Sequence, residues 1–271
     1  MQNHSSVKLI FFAITMSLFI TSLNSGSNGN CYYVGSQHEA VLIDVGITCM
    51  ETEKRMKQLG LSMKNIKAIF VSHEHTDHIK GVSTLANKYQ LPVYISAATA
   101  GNGPRLIRHL SKIFIAKQPV AIGELLVTPF LKQHDACDPH SFIISYRGIT
   151  VGVFTDIGAL CAEVCYYFKQ CNAAFLEANY DEDLLENGPY SIDLKNRIKG
   201  DYGHLSNKQA LQLFTSNRCP GMSHLLLSHL SKVNNSPQIV NDLFSAFAAG
   251  TQIHIASRNE ASAIFKIDAI K

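Results

Sequence analysis

Short apolar runs alternating with polar breaks rich in Gly, Ser and Asn dominate the first half of the chain. The runs Leu18–Leu23, Cys31–Val34, Val41–Val45, Ile66–Ser72 and Pro92–Ile95 have strand length and composition. So do Ile113–Ala116, Glu124–Leu131, Ser141–Tyr146 and Thr150–Phe154. Between them, Glu51–Leu59 and Ile79–Tyr89 carry the apolar spacing of helices. A turn at Gly101–Pro104 is expected to lead into a helix containing Arg105 and Arg108. The second half repeats the style. Ala159–Lys169, part of Leu184–Lys199, Asn207–Phe214 and Pro237–Ala249 read as helices, with Ser206 or Asn207 capping the third. Ala173–Leu176, Leu225–Leu227, Gln252–Ala256 and Ala263–Ile267 read as strands. Two successions of strands, each followed by helices, predict an α/β fold of two sheets packed face to face with helices outside. No internal repeat, low-complexity tract or long linker divides the chain.

The N-terminus complicates that reading. Lys8 followed by Leu9–Leu23 has the look of a signal peptide, and it is short for a membrane span. Cleavage near Gly26 would remove Met16–Leu23, which reads as the first strand. The expectation is therefore an initiator at Met16, an extension over residues 1–15, one domain over 16–271 and no membrane association. With 271 residues, 46% of them hydrophobic, the chain can build a sizeable core. A net charge of +3 neither requires nor excludes a nucleic-acid partner. Seven Cys, an odd number without a CxxC pair, argue against a disulfide framework. Reduced, mostly buried thiols in a cytoplasm are expected instead. Oligomeric state is left open.

The chemistry concentrates in His73-Glu74-His75-Thr76-Asp77-His78, directly after the apolar run Ile66–Val71. A solvated loop would account for polarity, but three imidazoles and two carboxylates in six positions suit a divalent metal better. In an extended stretch His73 and His75 point the same way and can grip one ion. A turn would bring Asp77 and His78 to a second, roughly 3.5–4 Å away. Glu74 and Thr76 read as spacers. Three further candidates each follow an apolar strand: His134, Asp156 and His229. Strand ends on one sheet edge converge, which gives His73, His75 and His134 for one ion and Asp77, His78 and His229 for the other. Asp156 bridges the two.

These motifs together resemble the metallo-β-lactamase superfamily, and more narrowly its bacterial YycJ/WalJ branch. The matching pieces are HxHxDH, His134-Asp135-Ala136, Thr155-Asp156-Ile157-Gly158, Glu177-Ala178-Asn179-Tyr180-Asp181, Gly203-His204-Leu205-Ser206-Asn207 and Ser228-His229-Leu230-Ser231. The resemblance spans about residues 16–267. It implies an αββα sandwich, two divalent ions (Zn²⁺ or Mn²⁺) and hydrolysis of phosphodiesters, with DNA as the favoured substrate. Its RNase Z-like members have a Glu and a His relaying a proton beside the metals, which by position are Glu177 and His204. An imidazole that binds no metal can protonate a departing alkoxide, and a carboxylate can hold its tautomer. Asp77 is also expected to orient the nucleophile.

Asp44 is expected to hydrogen-bond the metal loop from a neighbouring strand, or else simply to form the turn before Gly46. Ser25 to Asn30 could present amides and small side chains to a phosphate, or could be a plain turn. Ser25, Asn30, Ser206, Asn207 and Asn234 are the expected substrate contacts. Lys195, Arg197 and Lys199 form a basic run that fits either a nucleic-acid backbone or a solvated helix face. Two other functions stay open: a small-molecule hydrolase (thioesterase, lactonase, β-lactamase or cyclic phosphodiesterase) and a non-catalytic, metal-stabilised regulatory module.

Overall fold

A computed structural model describes residues 17–106 and 108–269. The expected extension over residues 1–15 and the alternative start at Met16 lie outside the described residues. Two seven-stranded sheets form the centre of the molecule. In the first, the order is β14 (Phe265–Asp268), β1 (Ser17–Asn24), β2 (Cys31–Gly35), β3 (Ala40–Ile43), β4 (Ile66–Phe70), β5 (Val93–Ile95) and β6 (Ser111–Ile113). In the second it is β13 (Gln252–Ile255), β12 (His224–Ser228), β11 (Ala173–Glu177), β10 (Ile149–Phe154), β9 (His140–Tyr146), β8 (Leu125–Leu131) and β7 (Val120–Ile122). Each sheet is mixed: β3 to β6 and β10 to β13 run parallel, and the remaining pairs are antiparallel.

Three apolar clusters explain the layering. The inner faces of both sheets meet in one, where Tyr32 packs on Phe175 (4.9 Å between ring centres) and Phe70 on Phe142 (5.7 Å). Behind the first sheet, α1 (Cys49–Gln58) and α3 (Val82–Tyr89) cover a second cluster through Met56 and Leu85. Behind the second sheet, α5 (Ala162–Phe168), α8 (Asn207–Asn217) and α9 (Pro237–Ser245) cover the third through Phe168, Phe214 and Phe244. The result is the αββα sandwich expected. Strands β11 and β12 are buried on both faces, as parallel strands under helices are, and so read as continuous apolar runs.

Several expected elements are placed differently. Among the described residues no helix includes Arg105 or Arg108, and both side chains are exposed. A helix precedes them instead: α4 (Ala97–Asn102), started by Ser96, whose hydroxyl accepts from Thr99 N at 3.2 Å. The strand expected over Ile113–Ala116 is β6, two residues earlier, and the short β7 was not foreseen. Leu184–Lys199 lies in two helices, α6 (Glu182–Asn187) and α7 (Ile192–Lys199), broken at Gly188-Pro189. Ile79–Tyr89 is likewise interrupted, between α2 (Thr76–Ile79) and α3. Gly81 marks that break, because a Cβ there would lie 2.1 Å from the Ile47 carbonyl oxygen. All seven Cys are free; Cys31, Cys49 and Cys171 are buried, Cys137 is exposed, and the other three are half-buried, so burial is less general than expected. Among the described residues no helix is long and apolar enough to cross a membrane.

Candidate metal centre

Five strands deliver the candidate residues to one edge of the sandwich. Strand β4 leads into His73–His78, β8 into His134 and β10 into Asp156, while β11 ends on Glu177 and β12 leads into His229. Strands β8, β10, β11 and β12 run in the same direction, so their C-terminal ends share one edge. The six-residue loop turns as anticipated. His73 and His75 precede the short helix α2, whose first turn carries Asp77 and His78.

The loop is held from behind. Asp44 Oδ1 accepts from Ser72 N (2.8 Å), and its Oδ2 lies 2.8 Å from Ser72 Oγ and 2.7 Å from His78 Nδ1. Ser72 Oγ in turn meets His73 Nδ1 at 2.8 Å. Asp44 therefore fixes two candidate ligands, as expected of it. Three of these residues, Asp44 (φ 61°), Asp156 (φ 55°) and His229 (φ 56°), adopt left-handed backbone. Asp and His tolerate that region better than most residues, and such strain gathers at functional sites. The segments before β2 and after β3 are stitched to the loop by Asn30 N to Asp77 O (2.7 Å) and Val45 N to His78 O (2.9 Å), and to each other by Gly46 N to Asn30 O (2.8 Å). A Cβ on Gly46 would lie 1.6 Å from the Asp77 carbonyl oxygen. Gly46→Ala is therefore expected to cost on the order of 3 kcal/mol or more, since backbone has to move. Thermal unfolding of the variant against the wild type measures it.

Four groups of donor atoms, each within 4.8 Å of one another, converge here: His73, His75 and His134; Asp77, His78 and His229; His73, His78 and Asp156; and Asp156, Glu177, His204 and His229. The first two are the triads anticipated from sequence. Asp156 lies between them, with Oδ2 3.1 Å from His78 Nε2 and Oδ1 3.4 Å from His229 Nε2 and 3.9 Å from His134 Nε2. Despite these approaches, Nε2 of His134, Nε2 of His229 and Oδ2 of Asp156 are buried without a hydrogen bond of proper geometry. Buried polar atoms rarely stay unsatisfied, and ligation of an ion would satisfy all three.

Electrostatics divides the cluster in two. Burial, reinforced by His78 and Lys132, holds the His73 imidazole well below its usual pKa. Burial likewise takes His134 down to about 4. Both are thus neutral, which ligation requires. On the other side, burial opposes charge on His78, but Asp156, Asp44 and Asp77 outweigh it and raise that group to about 10. Asp156, Asp77 and Glu177 similarly overcome burial at His229. This half of the site calls for positive charge, which a divalent ion supplies as well as protons do. Asp156 itself is pulled well below the usual carboxylate range, against burial, by His229 and His78. The residues fit a divalent metal.

Glu177 and His204 are paired as expected, with His204 Nδ1 2.7 Å from Glu177 Oε1. Burial alone would raise Glu177; His204 and His229 bring it to about 2. Glu177 Oε2 also accepts from Ile157 N at 2.8 Å and Leu205 N at 3.3 Å, which locks its orientation. Its partner His204 is partly open and faces a cavity of about 300 Å³, shared with His75, Asp77, His134, Asp156 and His229. Tyr190, Leu194 and Ile198, on and beside α7, form its less polar wall.

None of the expected substrate contacts lines this cavity. Asn30 is buried, its amide nitrogen 3.1 Å from Asp77 Oδ2 and 3.0 Å from His78 Nε2. Ser25 is buried as well; its hydroxyl accepts from His229 N at 2.7 Å and meets Tyr32 Oη at 2.8 Å. Ser206 caps α8 with a capping box, and Asn207 pairs its amide with Asn235 at 3.1 Å. Asn234 is buried and lines no wall of the cavity. Short polar side chains near the motif histidines are spent on positioning them. Of the basic run, Lys195 donates to Glu186 O and Lys199 to Glu186 Oε2, whereas Arg197 donates to Asp135 Oδ2 (2.6 Å) and alone of the three reaches the cavity.

Three contributors were not foreseen. Glu74 is more than a spacer, since its Oε1 accepts from Cys137 N at 2.8 Å and ties the segment after His134 to the metal loop. Asn179 donates to the His229 carbonyl oxygen at 2.9 Å and lines the cavity. Lys132 is buried behind the cluster and donates to Thr155 O at 2.6 Å. Burial lowers its pKa, while Asp156, Asp44, Glu177 and Asp77 act in the opposite sense. A lysine two residues before the strand-end histidine was the available signal for it.

Comparison with known proteins agrees with this geometry. Residues 25–148 match the model of the metallo-beta-lactamase superfamily. Exodeoxyribonuclease YycJ of Bacillus anthracis is 33% identical over 228 residues, which cover 83% of this chain and 86% of that protein. Exodeoxyribonuclease WalJ of Streptococcus pneumoniae is 27% identical, covering 81% and 84%. In fold, the chain is similar to the metallo-beta-lactamase fold protein YhfI from Bacillus subtilis, with a TM-score of 0.69 at 17% identity over 92% of this chain and 99% of that one.

Proposed function

The chain belongs to the metallo-β-lactamase superfamily, in company with YycJ and WalJ, and from that premise we propose that it is a two-metal exonuclease acting on DNA. Zn²⁺ or Mn²⁺ ions held by His73, His75 and His134, and by Asp77, His78 and His229, with Asp156 between them, would supply Lewis acidity to the phosphoryl group and to the attacking water. Asp77 lines the cavity and would orient that water. Attack on phosphorus breaks the bond to the leaving oxygen, and His204 gives that oxygen its proton. Glu177 engages Nδ1, so Nε2 is the nitrogen left for the donation. The wall of Tyr190, Leu194 and Ile198 offers apolar surface to a base or sugar. Seven free thiols suit a reducing compartment, and we place the protein in a cytoplasm.

The observation that carries this reading is the Glu177–His204 pair facing the cavity. A thioester or strained lactam expels a stabilised leaving group and needs little acid assistance, whereas a nucleoside alkoxide needs a proton. The test is incubation of the protein, loaded with Mn²⁺ or Zn²⁺, with end-labelled single- and double-stranded DNA and RNA, beside a chromogenic lactam and a thioester. Stepwise shortening of DNA is expected. Turnover of the lactam or thioester with DNA left intact would overturn the proposal.

A further inference from the structure

A second cavity, of about 390 Å³, adjoins the first, and Ser231 lines both. The loop after β1 divides them, with Ser27 on the metal side and Ser25 on the other. The far side is built by two segments: residues 230–237, from just past the end of β12 to the first residue of α9, and residues 255–260, from the last residue of β13 onward. Both are fixed rather than loose, the first by Ser231 N donating to Asn179 O and Asn234 O accepting from Asp181 N, each at 2.8 Å. Ser25 N donates to Ser257 O at 3.1 Å, Ala256 N to Leu227 O at 2.8 Å and Asn28 Nδ2 to Arg258 O at 2.8 Å.

Two cations of this cavity lack a counter-charge. Arg258 is half-buried, and its Nη1 is out of solvent with no acceptor. Its Nη2 has a single long contact, 3.4 Å to the neutral Asn28 Oδ1. Arg55, Arg147 and Arg197, by contrast, each pair with a carboxylate. Lys232 is exposed, and no carboxylate lies within 4.0 Å of it among the described residues. Glu260 also lines the cavity but pairs with neither. A half-buried guanidinium with no carboxylate partner keeps charge-assisted donors free for an anionic ligand in the cavity. The cavity is within the size range of small-molecule sites.

We propose that this second cavity seats the nucleotide adjoining the one being cleaved, with Arg258 and Lys232 holding its phosphate. The strand would pass from the metal cavity over Ser231, and the site would read backbone charge without regard to sequence. This rests on the phosphodiesterase reading of the metal cavity and names where the rest of the strand goes.

The experiment compares two substrates on the metal-loaded full chain: a single-stranded DNA 20-mer, and bis(p-nitrophenyl) phosphate, which is too short to reach the second cavity. Arg258→Gln and the double variant with Lys232→Ala are measured against wild type. The ratio of kcat/KM for DNA to that for the small diester is expected to fall roughly tenfold, as charge-assisted phosphate contacts are lost. The slope of log kcat/KM for DNA against log salt becomes shallower by about 0.7 for each cation removed. Lys232→Ala alone, at an exposed position, should flatten the slope without touching the fold. Wild-type values of both ratio and slope in all three variants would overturn the second site while leaving the nuclease intact. A wild-type enzyme that cleaves the small diester but no nucleic acid overturns both readings.

Discussion

Asp156→Asn is expected to strip the protein of metal and of nuclease activity together while leaving it folded. Asparagine is the informative replacement, because Asp156 has φ 55° and Asn tolerates left-handed backbone where most residues do not. The amide keeps the volume and removes the charge. Asp156 lies within 3.1 to 3.9 Å of three candidate ligands, His78, His229 and His134, so its charge is felt by both triads. Ion binding at a catalytic centre is worth several kcal/mol of transition-state stabilisation, which corresponds to about a thousandfold or more in rate. Metal content by elemental analysis, circular dichroism and exonuclease rate form one measurement. Inactive protein with a full complement of metal would make Asp156 a chemical group and not a ligand. Full activity without metal would remove the metal mechanism altogether.

The convergence of the candidate ligands was largely legible in the sequence, and the reason is topological. His73 to His78 crowd into six positions, and His134, Asp156 and His229 each follow an apolar strand. Parallel strands share an edge, so groups just past their ends must converge; the fold turns a repeated local context into one site. What stayed hidden depends on long-range partners. Nothing local distinguishes Glu74, which bonds Cys137 N across 63 positions, from a spacer. The role of Lys132 depends on carboxylates brought to it from Asp44, Asp77, Asp156 and Glu177. Motif residues such as Asn30 and Ser25 lie beside the candidate ligands, and that proximity suggested substrate contact. Their side chains are consumed by Asp77, His78 and His229, an outcome fixed by packing that sequence spacing does not encode. The misplaced helix at Arg105 has a similar origin: Ser96 supplies a cap that starts α4 early, and Pro104 follows its end.

His204→Ala separates proton delivery from metal binding. His204 belongs to neither triad; it lies 3.8 Å from Asp156, bonds Glu177 and stacks on His229 with 5.3 Å between ring centres, so its removal should leave both triads their donors. Metal content should remain at the wild-type level. Loss of a positioned general acid slows reaction about 10²–10⁴-fold, but only where the leaving oxygen needs a proton. The penalty should therefore be large on DNA, whose leaving nucleoside oxygen is a strong base, and small on bis(p-nitrophenyl) phosphate, whose phenolate leaves unaided. That leaving-group dependence is a signature a merely structural histidine would not produce, since misfolding slows both substrates alike. Glu177→Gln is the companion variant. The amide oxygen can still accept from Nδ1 of His204, but the carboxylate charge beside the ring is gone, and a loss of about 10–100-fold on DNA is expected. Because Glu177 Oε1 also lies 3.1 Å from His229 Nδ1, that variant is interpreted only with its metal content measured. Equal slowing of both substrates by His204→Ala, at full metal occupancy, would take His204 out of the leaving-group step.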